Sequence, residues 1–160
     1  MSILLSANPP HAGKLVDGIK SVEWRKRALP KGTAYIYETR KQGGCGLVIG
    51  KVEIVGSITF DPRRIPDVFV TGGGVDRAFI LRYADGGAVF ANICVNPKRY
   101  DIPRPLSDFR TDGCKSCPLR IYRADGSCKE FTGCEYEGDK IARPPQSFCY
   151  AERIEMEGKK

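Results

Sequence analysis

The chain has 160 residues, of which 41% are hydrophobic and 28% are charged, so it is long enough for one domain with its own core. Its net charge of +7 favours an anionic partner, nucleic acid first, although many basic proteins bind none. The sequence has no signal peptide and no run of about 18 apolar residues, which argues against a membrane protein and indicates a cytoplasmic one.

The first part of the chain predicts a strand, a short helix and a charged strand. Residues 3–5 are apolar and suit a buried strand. The next apolar residues follow the spacing of one helix face: Ala12, Leu15, Val16 and Ile19. Gly18 is placed to end this helix, and His11 falls in its first turn, where we expect it to be structural or exposed. The charged strand then covers about residues 21–25.

The rest of the chain predicts several short strands and one more helix. Strands are expected at residues 34–37, 47–55, 58–60, 88–95 and 146–154. The helix is expected over residues 75–83, after a triple glycine at 72–74 that we interpret as flexible. Residues 100–106 are predicted to form a proline-rigid loop. These elements do not alternate as regular βαβ units, so the fold class is α+β, a small and mostly antiparallel β-barrel with flanking helices.

The charged strand carries a motif of one glycine, two cations and one carboxylate, followed by two more cations: Gly18, Lys20, Glu23, Arg25, then Lys26 and Arg27. Because side chains alternate along a strand, Glu23 and Arg25 share one face while Val22 and Trp24 enter the core. A rigid element would thus present a small polar site. The same pattern also fits a half-exposed strand in which Glu23 and Arg25 form a structural ion pair.

Seven cysteines without an export signal favour metal binding over disulfides. Four of them fall in one polar segment of 21 residues: Cys114, Cys117, Cys128 and Cys134. Four thiolates suit a tetrahedral structural zinc, which would supply folding free energy that this segment lacks. A redox C-x-x-C pair and unliganded cysteines are the alternatives. Cys94 and Cys149 are predicted to be small core residues.

Several segments, in order, resemble the ASCH domain, a branch of the PUA-like superfamily. They are the G-x-K-x-x-E-x-R motif and residues 4–9, 34–39, 45–50, 100–105 and 144–150. The resemblance covers about residues 3–110 and 141–154, and it implies one domain over 1–154 with a tail at 155–160. Residues 111–141 are then a cysteine-rich insertion. The resemblance also implies a small β-barrel with a cleft beside the strand that carries Lys20, Glu23 and Arg25.

Related branches of the superfamily bind RNA or modified bases, so the resemblance implies a module that binds RNA or a nucleotide. The expected ligand-binding residues are Lys20, Glu23, Arg25, Lys26, Arg27, Tyr37, Gln146 and Ser147. The four cations would neutralise phosphate, and Glu23 would accept a hydrogen bond from a base edge or hold Arg25. Tyr37 or Trp24 would stack on a base, although Trp24 also suits the core.

Two further functions stay open. Some small bacterial members are amidohydrolases, and ribonuclease activity has been ascribed to others, so a hydrolase acting on RNA or a modified nucleoside is one alternative. Lys20 would then stabilise negative charge and Glu23 would be the general base. The amidohydrolases carry Lys-x-x-Thr, and here Glu23 stands in place of the threonine, which removes their proposed nucleophile. The other alternative is a structural module whose cysteine-rich insertion contacts a protein partner.

Overall fold

The computed structural model describes residues 2–111 and 140–153. Within them the helices and strands follow the order β1 (Ser2–Ala7), α1 (His11–Val16), β2 (Val22–Arg25), β3 (Gly32–Glu38), β4 (Val48–Phe60), α2 (Asp67–Gly73), α3 (Arg77–Ala84), β5 (Val89–Arg104), β6 (Phe109–Thr111) and β7 (Phe148–Arg153). None of the helices in these two ranges is both long enough and apolar enough to cross a membrane.

The strands form one seven-stranded sheet in the order β2-β5-β4-β3-β1-β7-β6. β1 pairs with β3 in parallel, and the other five pairings are antiparallel. The predicted α+β class with a mostly antiparallel sheet is confirmed. The end strands β2 and β6 do not pair with each other within the described residues, so no ladder closes the sheet into a complete barrel. Three register shifts between β4 and β5 locally disrupt their ladder, as β-bulges do where a sheet bends.

Apolar side chains on both sides of the sheet form the core. Helix α1 packs Leu15 and Val16 against Ile3 and Ile36 of the neighbouring strands. On β2, Val22 and Trp24 pack with the helix α3 in a second cluster. The predicted alternation along β2 is therefore confirmed, because its apolar residues enter the core and leave Glu23 and Arg25 on the other face.

The triple glycine belongs to the end of a helix that the sequence analysis did not predict, where a flexible segment was expected. Gly72 and Gly73 belong to α2, and Gly74 ends that helix in the left-handed conformation with φ of 62°. A Cβ atom at Gly73 would lie 2.1 Å from Nε1 of Trp24. Glycine is therefore required for the close approach of α2 to β2, a packing constraint that the sequence pattern does not reveal.

The expected loop at residues 100–106 was also wrong in large part, because β5 continues to Arg104. Its prolines, Pro97 and Pro103, do not occupy paired positions in the register with β4. Among residues 2–111 and 140–153, β2 pairs with β5 only at residues 90–93, and no described strand pairs with the later part of β5 on that side. A strand tolerates proline where no ladder hydrogen bond is lost.

Candidate functional site

A tight turn after α1 brings Lys20 to the start of β2. Gly18 has φ of 74°, a left-handed conformation that strains other residues, and the amide of Lys20 donates to the carbonyl of Lys14 at 3.0 Å. Gly18 also lies close to Pro97, with 3.0 Å between the ring Cγ and an added Cβ. Gly18 therefore follows the end of the helix as predicted, and the turn that it forms fixes the backbone of Lys20.

Glu23 is shared by two cations in the interior. Its Oε2 accepts a hydrogen bond from Nζ of Lys20 at 2.5 Å, and its Oε1 accepts one from Nε of Arg25 at 2.9 Å. Lys20 and Glu23 are each only 5% exposed. Two cations on one carboxylate give this cluster a net charge of +1, and we call Lys20, Glu23 and Arg25 the charged triad.

The charged triad keeps Glu23 ionised. Burial alone would raise the pKa of this carboxyl, but the charges and hydrogen bonds of Lys20 and Arg25 outweigh burial and hold its pKa below the ordinary value. Such a carboxylate is a poor proton acceptor at neutral pH, because general bases work best with a pKa near the working pH. The arrangement suits charge positioning better than proton transfer.

Arg25 links β2 to the opposite side of the bent sheet. Its Nη2 donates to the carbonyl of Ser6 at 2.6 Å, and its Nη1 lies 3.5 Å from Oγ of Ser147. Ser6 in turn donates from Oγ to the carbonyl of Pro145 at 2.7 Å. Because most of its donors already have partners, Arg25 holds the site together and leaves phosphate contact mainly to other cations.

The triad lies in a cleft with a volume of about 1060 Å³. One side is formed by the end of β3 and the residues after it, including Tyr37, Arg40 and Lys41. The helix α3 contributes Phe79 and Tyr83 to another side. Residues 144–146, which precede β7, border the cleft as well. The cleft is thus polar and positive beside the triad, and aromatic along α3.

Most of the predicted ligand-binding residues are brought together here. Those that line the cleft are Lys20, Glu23, Arg25, Tyr37 and Gln146. Ser147 reaches the site through Arg25. Lys26 is exposed, with Nζ 5.8 Å from the centre of the Tyr83 ring. Arg27 is exposed and is not among the residues that line the cleft.

His11, the single histidine of the chain, also lines the cleft, which its sequence position did not indicate. Burial, followed by the charge of Lys20, lowers the pKa of its imidazole. Its Nδ1 is buried and has no hydrogen-bond partner among the described residues. A neutral ring beside the triad can offer either a donor or an acceptor to a ligand.

Asn92 supports β2 from the neighbouring strand and was not predicted either. It is fully buried, and its Nδ2 donates to the carbonyl of Glu23 at 2.9 Å. Its Oδ1 accepts from the amide of Leu29 at 2.8 Å and from Oγ of Ser57 at 2.6 Å. One side chain therefore fixes the backbone of Glu23, the loop after β2 and a residue of β4.

The described cysteines do not form a metal site. Burial raises the pKa of Cys94 to about 12, as expected for a neutral core thiol, and Cys149 is half-buried in the apolar cluster around β7. In residues 2–111 and 140–153 no group of three or more potential ligands from His, Cys, Asp and Glu converges. The predicted zinc ligands lie outside these residues: Cys114, Cys117, Cys128 and Cys134.

Comparison with known proteins identifies the fold. No family model matches the sequence, and no curated protein matches it. Among solved structures, the ASCH protein from Zymomonas mobilis matches with a TM-score of 0.64 and 20% identity, over 93% of this chain and 86% of that one. A serine-to-alanine mutant of that protein matches at 0.64 and 18% identity, over 93% and 87%. A tyrosine-to-phenylalanine mutant matches at 0.63 and 20%, over 93% and 88%. The chain therefore has the ASCH fold, which confirms the resemblance in its sequence at the level of the fold.

Proposed function

We propose that this chain binds RNA or a nucleotide in the cleft beside β2, with a phosphate of the ligand next to Lys20. The observation that carries the proposal is the charged triad, in which two cations share one buried carboxylate at the side of a large cleft. A buried excess of positive charge is costly without a counter-ion. An anionic group of the ligand would supply one.

The donors in the cleft fit this role. Glu23 uses one of the three N–H donors of Lys20, so a phosphate oxygen would accept from another. Arg40 and Lys41 are exposed at the edge of the cleft and would contact neighbouring phosphates of a longer strand. Glu23 would then position the two cations and would not contact a base, since both of its oxygens have partners.

The test is the affinity for a labelled single-stranded oligoribonucleotide at several salt concentrations. For single strands the slope of log K against log salt is about −0.7 for each neutralised phosphate. Replacing both cations at the edge, Arg40→Gln and Lys41→Gln, should make the slope shallower by about 1.4 if each contacts one phosphate. Binding that does not depend on salt, or an unchanged slope in this variant, would contradict the proposal.

Lys20→Met tests the triad itself. A hydrogen bond to a charged group contributes about 1.5–3 kcal/mol, so affinity should fall about ten-fold or more. The matched control is Lys98→Met, because Lys98 is exposed on β5 and does not line the cleft. Equal losses in the two variants would mean that only overall charge matters.

A hydrolase acting on RNA is the second candidate, and the position of Lys20 in the cleft favours it. Lys20 would stabilise developing negative charge on phosphate. The lowered pKa of Glu23 argues against that residue as the general base. Analysing the bound RNA on a denaturing gel separates the two functions. RNA that is shortened by the wild-type protein but stays intact with Lys20→Met would favour the hydrolase.

A further inference from the structure

Helix α3 places two aromatic rings in the cleft. Neither ring is fully buried in the core, and neither belongs to the charged triad. Phe79 and Tyr83 are one helical turn apart, and their rings are nearly parallel, at 5°, with centres 6.2 Å apart. Phe79 is 38% exposed and belongs to none of the three apolar clusters of the core. A planar ligand in the cleft can contact the exposed part of this ring.

The other aromatic side chains near the cleft are less available. Trp24 and Tyr37, the two residues that the sequence suggested for stacking, are each only 5% exposed. Trp24 packs against Gly73 of α2, which leaves little room beside its indole ring. The exposed aromatic surface of the cleft is therefore on α3, with the ring of His11 lying 6.1 Å from that of Phe79.

One cation lies beside the Tyr83 ring, and others line the cleft. Nζ of Lys26 is 5.8 Å from the centre of the Tyr83 ring. Lys20, Arg40 and Lys41 line the same cleft. Proteins that bind single-stranded nucleic acid combine a positively charged groove, which follows the backbone, with aromatic rings on which bases stack. This cleft has both features.

We propose that α3 is the base-stacking wall of the cleft, and that the ligand is single-stranded RNA in which an unpaired base stacks on Phe79 beside Tyr83. The inference rests on the proposed function and deepens it by naming the class of ligand. In a duplex each base is already stacked between its neighbours, so its face is not available to Phe79.

The experiment compares three labelled probes of equal length: a single-stranded oligoribonucleotide, an abasic strand and an RNA duplex. Stacking on an aromatic side chain changes affinity by about five- to hundred-fold per base. The wild-type protein should bind the base-bearing strand at least about five-fold more tightly than the abasic strand, and more tightly than the duplex. Phe79→Leu should remove most of this preference, because it should weaken binding of the base-bearing strand more than binding of the abasic strand.

Two further variants make the comparison specific. Tyr83→Leu should reduce the preference for bases as well, since its ring lies beside that of Phe79. Leu81→Ala is the control, because Leu81 is exposed on the same helix but does not line the cleft. Circular dichroism of each variant checks that the fold is kept.

The outcomes separate this inference from the function on which it rests. If the base-bearing and abasic strands bind equally and in a salt-dependent way, the proposal of base stacking on α3 is wrong, whereas the proposal of phosphate binding still holds. A preference that survives in both Phe79→Leu and Tyr83→Leu, or tighter binding of the duplex, would also overturn it. Failure of every probe to bind would contradict RNA binding, the part of the proposed function on which this inference rests.

Discussion

Glu23 is the residue on which the geometry of the site depends most. It is the shared ion-pair partner of Lys20 and Arg25, and its backbone carbonyl is held by Asn92. Removing the carboxylate would leave two cations in the interior without their partner. In a buried pair this loss usually costs more than the pair itself contributes to stability.

Glu23→Gln should therefore destabilise the fold strongly. Breaking a buried ion pair costs about 3–5 kcal/mol, which chemical denaturation would report as a lower free energy of unfolding. The matched control is Asp17→Asn, which breaks the exposed pair between Asp17 and Arg99 and should cost at most about 1 kcal/mol. Similar losses in the two variants would show that the charged triad contributes no more than a surface pair.

The pH dependence of stability gives a second test of Glu23. Its pKa in the folded protein lies below the reference value of 4.5, so its contribution is complete above about pH 4.5 and is lost as the pH falls below that value. The difference in unfolding free energy between the wild type and Glu23→Gln should therefore be constant near neutrality and shrink in acid. A difference that stays constant down to about pH 3 would contradict the lowered pKa.

At the scale of elements, the packing of α2 on β2 depends on a glycine. Gly73→Ala would place a Cβ atom against the indole of Trp24, and overpacking of this kind typically costs about 1–3 kcal/mol. Gly56→Ala is the control, because no atom lies within 4 Å of the added Cβ at that position. Equal denaturation midpoints for the two variants would contradict the close packing of α2.

The elements also show what could be predicted from the sequence. The alternation along β2 is local, so it identified both the core residues Val22 and Trp24 and the charged face opposite them. Helix α2 packs against the distant strand β2, which the sequence does not show, and its glycines locally indicated a flexible segment. The position of Phe79 in the cleft was also missed. The spacing of residues along a helix shows which of them share a face, but not which part of the fold that face contacts.

At the scale of the molecule, Arg25 connects parts of the sheet that do not pair by backbone hydrogen bonds. It contacts Ser6 on β1 and Ser147 before β7, whereas β2 itself pairs with β5. The cleft is thus assembled from segments far apart in the chain. Sequence analysis identified part of its polar lining, namely the charged triad, Tyr37 and Gln146, but the aromatic wall and His11 required the three-dimensional arrangement.

The predicted zinc site concerns the part of the chain outside the described residues. Purified protein should contain about one equivalent of zinc, because four thiolates form a complete tetrahedral site. Replacing all four predicted ligands with serine should abolish this binding: Cys114, Cys117, Cys128 and Cys134. Well under one equivalent in the wild type, measured by elemental analysis, would contradict the prediction.

The most direct test of the cleft as the RNA-binding site uses His11, because it is the only histidine of the chain and lines the cleft. Its proton resonances can be followed by NMR as a function of pH, with and without a saturating single-stranded oligoribonucleotide. In the free protein its pKa should lie below the reference value of 6.5. Bound phosphate beside Lys20 should raise that pKa, since an anion favours the charged imidazole. An identical titration curve with saturating RNA would contradict binding in this cleft.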